Sequence, residues 1–187
     1  ASRAGDFRTV FKVCRQAGRH TRRLEKARRE VEAALEDMER SRIRAAEAAA
    51  DERAGKMETE IKRLLKKIGK FPALADRYQK EVEALSEDSR SARGEERREG
   101  MEPQASETMD MELAAYQSVE EAAREFQGRC QEMKDQLEAE AVRLEEISEL
   151  LEEGGDGEHE ENGEEDETGP DWDQIQELMD MVQIPEA

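Results

Sequence analysis

The sequence predicts an all-α protein made of elongated helices and a coiled coil, with a disordered acidic linker and a short C-terminal amphipathic helix. Three observations support this fold class. Of the 187 residues, 42% are charged and 4% are aromatic, whereas an ordinary globular domain contains about 25% charged residues. Apolar residues recur every three or four positions over long stretches, which is the spacing of a helical face. The charge is also segregated, with a basic start and an acidic end.

Residues 1–18 predict a basic amphipathic helix that ends near Gly18. Phe7, Val10 and Phe11 share one face, and basic residues surround them. Such a helix packs on a protein surface or lies on an anionic membrane. These three apolar residues are therefore candidates for binding a partner.

Residues 21–88 predict a long helix and a shorter one, broken at Pro72. Small and apolar residues recur every seven positions at first. This repeat is lost at residues 52–55 and resumes in another register, which indicates a local break in a supercoil. Pro72 is expected to end the long helix because it has no N–H and restricts the residue before it. Residues 89–105 lack apolar periodicity and contain glycine and proline, so they predict a flexible linker.

The strongest helical pattern is a seven-residue repeat over residues 106–153, which predicts a coiled-coil helix. Glu140 is a polar residue at a core position, of the kind that fixes register or marks a mismatched layer. The apolar core positions, which form the candidate coiled-coil interface, are Met109, Tyr116, Val119, Ala123, Phe126, Cys130, Met133, Leu137, Leu144, Ile147 and Leu151.

Residues 154–170 are rich in glutamate, aspartate and glycine and predict a disordered acidic spacer. Residues 171–184 then predict a second amphipathic helix, with Asp171 as its N-cap and Gln174 completing a capping-box pattern. The candidate partner-binding residues of this helix are Trp172, Ile175, Leu178, Met179, Val182 and Ile184.

A helix this short is not stable alone in water, so its apolar face needs a second surface. That surface is either a groove on a partner or the coiled coil of the same chain. The spacing of Ile175, Leu178, Val182 and Ile184 also resembles the leucine-rich nuclear export signals that exportins read, which implies shuttling between cytoplasm and nucleus.

The sequence predicts no catalytic, metal or cofactor site. His20 and His159 lie at opposite ends without neighbours at metal-ligand spacing, and no glycine-rich phosphate loop or nucleophile elbow occurs. The carboxylates are expected on exposed faces, where no burial would raise their pKa for acid–base work. Cys14 and Cys130 do not make a disulfide framework, which favours a reducing compartment such as the cytoplasm.

The expected function is a non-catalytic scaffold or adaptor subunit. It would form homo- or hetero-oligomers through the coiled coil and dock protein partners by placing its terminal helices in grooves. Residues 1–31 carry a net charge of +7 and residues 131–187 carry −20, which favours head-to-tail or antiparallel association, or self-occlusion. Membrane binding is an alternative for the basic end, and nucleic-acid binding is not expected because the acidic remainder opposes it.

The layout resembles that of ESCRT-III proteins, which have a basic helical N-terminal half, an acidic C-terminal half and a short terminal helix that docks a partner. The resemblance implies a membrane-remodelling subunit as an alternative function. It is one of layout across most of the chain, and the long repeat over 106–153 departs from it. The acidic run is also similar to the tails of acidic chaperones, which would imply binding to histones or other basic proteins.

Overall fold

A computed structural model describes most of the backbone and a smaller set of side chains. The predictions for Phe7, Val10, Phe11, Met109 and the acidic run 156–168 fall outside the described parts. The backbone is described for residues 2–99, 106–155 and 169–186, and the side chains for residues 15–91, 114–154 and 169–186.

The described residues form four α-helices and no strand, so the all-α class is confirmed. The helices are α1 Ser2–Ala50, α2 Ala54–Glu99, α3 Ser106–Gly155 and α4 Trp172–Met181. They contribute to two compact units. Unit 1 contains Ala1–Glu30 and Ala75–Gln131, and unit 2 contains Val31–Leu74 and Glu132–Ala187.

Unit 1 is a three-helix arrangement in which α3 is bonded to both other helices. Gln79 of α2 and Gln127 of α3 each donate a side-chain hydrogen bond to the other's carbonyl, at 3.2 and 3.4 Å. The Tyr116 hydroxyl of α3 donates to the Gln16 side chain of α1 at 3.5 Å, and the buried Tyr116 ring packs against Ala17. The predicted core positions of α3 in this unit therefore face the chain's own helices.

A buried polar pair joins α1 to α2 in unit 1. The Nδ1 atom of His20 lies 3.1 Å from the hydroxyl of Ser89, and both side chains are buried. Burial lowers the pKa of His20 below its ordinary value of 6.5; Asp88 opposes this shift and Arg23 adds to it. The folded chain thus favours the neutral imidazole, which bonds to Ser89 without carrying a charge into the core.

We expect unit 1 to lose stability as the pH falls below about 6.5, because the unfolded chain then takes up a proton that the folded chain excludes. Protonation of this one group changes the free energy of unfolding by at most about 1.4 kcal/mol per pH unit. Urea unfolding of the wild type and of His20→Gln between pH 5.5 and 8 would measure this, with His159→Gln as the control. The explanation fails if His20→Gln keeps the wild-type dependence on pH.

The first long helix continues through Gly18, where the sequence analysis placed its end. A glycine inside a helix costs about 1 kcal/mol relative to alanine, which weakens a helix but does not break it. Ala17, His20 and Leu24 are buried on either side of Gly18. Tertiary packing on both sides therefore holds the helix through the glycine.

A tight turn at residues 51–53 separates α1 from α2, so the prediction of one long helix from residue 21 to Pro72 was wrong at this point. The turn explains why the seven-residue repeat fades there. The N–H of Arg53 donates to the carbonyl of Ala48 at 2.9 Å, and the N–H of Glu52 donates to that of Ala49 at 3.1 Å. This is the Schellman pattern that closes helix C-termini. Glu52 occupies its left-handed position with φ of 54°, where glycine is usual.

Replacing Glu52 by glycine is expected to raise the free energy of unfolding by about 1 kcal/mol, since a side chain in the left-handed region costs about 1–2 kcal/mol and glycine gives back part of this in chain entropy. Thermal and urea unfolding would measure the gain. Glu47→Gly, at an exposed position inside α1, is the control and should lower stability. Equal losses in the two variants would contradict the strain at Glu52.

The helix α2 also continues through Pro72, where the sequence analysis predicted a break. Pro72 is exposed, so its ring points away from the packed face of the helix. Its neighbours Ile68, Phe71 and Ala75 are buried. Packing of these neighbours stabilises a helix that the proline alone would interrupt. Of the predicted linker 89–105, the part up to Glu99 is helical.

In unit 2, an ion pair and two hydrogen bonds join α1 to α2. The ammonium group of Lys67 lies 3.1 Å from the Asp37 carboxylate and 2.7 Å from the hydroxyl of Ser41, and 3.5 Å from the carbonyl of Asp37. The hydrogen bond from Lys67 is the main cause that lowers the pKa of Asp37. Ser41 is fully buried, so Lys67 satisfies a hydroxyl that packing has removed from water.

Candidate docking site around the C-terminal helix

The helix α4 begins at a hydrogen-bonded N-cap. The Asp171 carboxylate accepts a hydrogen bond from the N–H of Gln174 at 3.3 Å, which is the bond that the capping pattern of the sequence predicts. Asp173 lies in the first turn, where a negative charge interacts favourably with the helix dipole. The local sequence thus fixes where α4 starts.

One face of α4 is buried within unit 2. Ile175, Met179 and Val182 have relative exposures of 0, 2 and 2%, and their spacing places them on one side of the helix. The side-chain amide of Gln176 donates to the carbonyl of Ala49, at the end of α1, over 2.9 Å. The apolar face of α4 is therefore covered by the protein's own bundle.

The chain after α4 runs along α3 in the opposite direction. Arg143 donates to the carbonyl of Met181 at 3.0 Å, and Gln136 donates to that of Gln183 at 3.3 Å. Arg143 and Gln136 are seven residues apart, so they lie on the same side of α3. This pair of bonds holds the backbone beyond the last turn of α4.

Arg143 also explains why a core position of α3 can hold the charged residue Glu140. It donates to both carboxylate oxygens of Glu140, at 2.8 and 2.9 Å, and Glu140 is 7% exposed. The buried carboxylate therefore orients a guanidinium group toward the C-terminus of α4, where a positive charge is favourable. Glu140 has a positioning role within the chain that the sequence analysis did not consider.

On the N-terminal side of α4, Pro170 lies directly against Gly154 of α3. A Cβ added to Gly154 would fall 2.5 Å from the backbone of Pro170, which is too close for any carbon. The end of α3 thus approaches the segment before α4 at a position that only glycine allows. Nothing lies within 4 Å of the same addition at Gly128, elsewhere in α3.

Gly154→Ala is expected to push Pro170 away and loosen α4, at a cost of about 1–3 kcal/mol. Gly128→Ala is the matched control and should raise stability by about 0.5–1 kcal/mol, because alanine favours the helix and meets no neighbour. Hydrogen exchange of residues 172–186 would report loosening in the first variant and none in the second. Unchanged exchange in Gly154→Ala would contradict the close contact.

The remaining predicted partner-binding residues of this helix are only partly covered. Trp172 and Leu178 are half-buried, and so is Ile184, which follows the helix because α4 ends at Met181 and not at residue 184 as predicted. Met181, which was not among the predicted residues, is 50% exposed. Asp173, an exposed carboxylate, lies on the outer side of the helix. The docked helix therefore presents the edge of its apolar face together with acidic groups.

The predicted core series of α3 is buried within the chain. Pairing of this series with a second chain stays a prediction. The residues of that series whose side chains the structure describes are all less than 5% exposed, and they are Tyr116, Val119, Ala123, Phe126, Cys130, Met133, Leu137, Leu144, Ile147 and Leu151.

Sequence reasoning missed Arg143 and Gln176, which bind α4 to the bundle. One signal was available for Arg143, because Lys134 and Arg143 are the two basic residues among positions 131–187. A basic side chain with so few basic neighbours in an acidic segment indicates a specific binding partner within the fold. Gln176 offered no comparable signal, since glutamine is common on exposed helix faces.

Within the part of the chain that the structure describes, no three histidine, cysteine or acidic side chains come together as a metal site. No helix in that part has an apolar stretch long enough to cross a membrane. Comparison of the chain with protein-family models, with curated proteins and with solved structures finds no match.

Proposed function

We propose that this chain is a non-catalytic scaffold or adaptor that docks a protein partner at α4. The observation that supports this most directly is the incomplete coverage of α4, whose residues Trp172 and Leu178 are half-buried while Met181 is half exposed. Large aromatic and aliphatic residues at a surface are typical anchors of protein interfaces. The buried residues of the same helix fix its position, so the anchors are presented in a defined orientation.

The long helices are less suited to partner binding through their repeats. Their apolar positions are already buried against one another within each unit, as Leu64 and Leu144 illustrate with 0% exposure. A second chain could pair with these apolar positions only after the helices of the bundle had separated. Their separation would expose a large apolar area to water. Docking at α4 requires no such opening.

Affinity purification of the full chain with quantitative mass spectrometry tests this function. The double variant Trp172→Ala/Leu178→Ala removes the two partly exposed anchors and keeps the buried ones, and Ile43→Ala changes an exposed apolar residue of α1. We expect one or a few proteins to be recovered near stoichiometric amounts by the wild type and Ile43→Ala. The double variant should lose them.

Hydrogen exchange of α4 in the double variant checks that the helix stays docked, since Ile175, Met179 and Val182 are unchanged. Recovery of the same proteins by all three chains, with α4 docked, would contradict docking at α4. Sedimentation with anionic vesicles tests the membrane-remodelling alternative on the same three chains.

A further inference from the structure

One face of α1 in unit 1 carries a straight row of basic side chains, here called the cation stripe. Their spacing, alternately four and three residues, keeps them in line along the helix for about 21 Å. Within the described residues, Arg19, Arg22 and Lys26 form no hydrogen bond or ion pair, whereas Arg15 has a partner within the chain and Arg29 lies 3.8 Å from Glu25. The members of the stripe, all exposed, are Arg15, Arg19, Arg22, Lys26 and Arg29.

A second row, here called the acid stripe, lies on the outer face of α3 in unit 2. It follows the same spacing over the same length of about 21 Å. None of its four carboxylates has a hydrogen bond or ion pair with a residue that the structure describes. Val142 lies in line with them and is 57% exposed. The carboxylates, all exposed, are Glu138, Glu145, Glu149 and Glu152.

The two stripes have the same length and spacing and opposite charge. Starting from Arg15 opposite Glu138, four cations meet four carboxylates, and Arg19 falls opposite Val142. The long aliphatic part of an arginine side chain can cover an exposed valine while its guanidinium group stays in water. Two helices with this match can therefore lie side by side with charge pairs on both sides of a small apolar contact.

We propose that the cation stripe of one copy of this chain binds the acid stripe of a second copy. Both stripes are exposed in the chain, so each is accessible to a molecule from outside. A nucleic acid or an anionic membrane would satisfy the cation stripe and be repelled by the acid stripe. A second copy supplies the complement of both.

Such an interface joins two different surfaces, so it is heterologous. Each copy that binds through its cation stripe still offers its own acid stripe. The association either closes into a ring or continues as an open chain. Single exposed ion pairs contribute little, and the row as a whole is expected to be weak, cooperative and sensitive to salt.

Light scattering of the full chain at several concentrations measures this association. At about 25 mM salt, where screening is weak, we expect the mass to rise with concentration above the 21.3 kDa of one chain. At about 500 mM salt the mass should return to that of one chain. The variant Arg19→Glu/Arg22→Glu/Lys26→Glu should weaken the association by about tenfold or more through like-charge repulsion.

Reversing the charges of each stripe in a separate variant, and then mixing the two variants, is a more specific test than reversing one stripe. The variant Glu145→Lys/Glu149→Lys/Glu152→Lys should also weaken self-association. A mixture of the two reversed variants should associate again, because the α1 variant keeps its acid stripe and the α3 variant keeps its cation stripe. The control is Lys56→Glu/Lys66→Glu/Lys70→Glu on α2, which changes the net charge equally. These three lysines are exposed and form no ion pair with a described residue, and their reversal should leave the association intact.

The proposal is overturned if the wild type stays a single chain at low salt, or if the α2 control weakens association as much as the α1 variant. It is also overturned if the mixture of reversed variants does not associate. Loss of binding to phosphatidylserine vesicles or duplex DNA by the α1 variant, without loss of self-association, would assign the stripe to phosphate instead. Neither stripe includes a residue of α4, so the variants that test docking at α4 test a separate surface.

Discussion

Replacing Phe71 by alanine is expected to lower the free energy of unfolding by about 3–5 kcal/mol. Phe71 is 1% exposed in unit 2, between the buried residues Ile68 and Ala75 of α2. Removing the ring loses its burial and leaves a cavity that helix packing fills only in part. No other described side chain on this part of α2 offers a comparable aromatic volume.

Urea unfolding followed by circular dichroism would measure the loss. Lys70→Ala is the matched control, since Lys70 is the exposed neighbour of Phe71 and exposed substitutions usually stay within about 0.5 kcal/mol. A loss below about 1 kcal/mol in Phe71→Ala would mean that the ring is not packed as described.

Replacing the next residue, Pro72, by alanine is expected to have the opposite effect and to raise the free energy of unfolding by about 1–3 kcal/mol. Proline is about 3 kcal/mol less favourable than alanine inside a helix, because its missing N–H leaves the carbonyl of Ile68 without its helical donor. The gain is reduced because proline also stiffens the unfolded chain, which is worth about 0.4–1 kcal/mol. Pro72 is exposed, so alanine leaves no cavity.

The same urea experiment tests this gain, with Ala73→Gly as the control. Ala73 is also exposed, and glycine there should lower stability by about 1 kcal/mol. A loss of stability in Pro72→Ala would show that the proline is favoured in the folded chain for a reason other than helix geometry.

The sequence pattern was most informative where packing and local propensity agree. The repeat in α3 assigns its buried positions from Tyr116 to Leu151, and Asp171 stands at the N-cap of α4. In both places a single periodicity or a single side-chain bond determines the structure. The all-α class follows from the same periodicity.

The pattern was less informative where tertiary packing overrides local chemistry. Gly18 and Pro72 are unfavourable inside helices, yet buried neighbours hold the helix through both. Conversely, the turn after α1 has Glu52 where glycine is expected, so the sequence carried no local signal for it beyond the fading repeat. An amphipathic helix such as α4 also does not reveal which surface it covers, since its spacing is the same for its own bundle and for a partner.

The sharing of helices between the units affects how the protein folds as it is made. Each unit combines early and late parts of the chain, because α1, α2 and α3 contribute to both and α4 belongs to unit 2. The α1–α2 hairpin forms from neighbouring residues, whereas the third helix of unit 2 begins at Glu132. Unit 1 cannot close during synthesis until α3 has left the ribosome as far as Gln131, and unit 2 must wait for the part of the chain that follows. Cleavage or early termination just before residue 132 would therefore leave unit 1 complete and expose the apolar faces of α1 and α2 in unit 2.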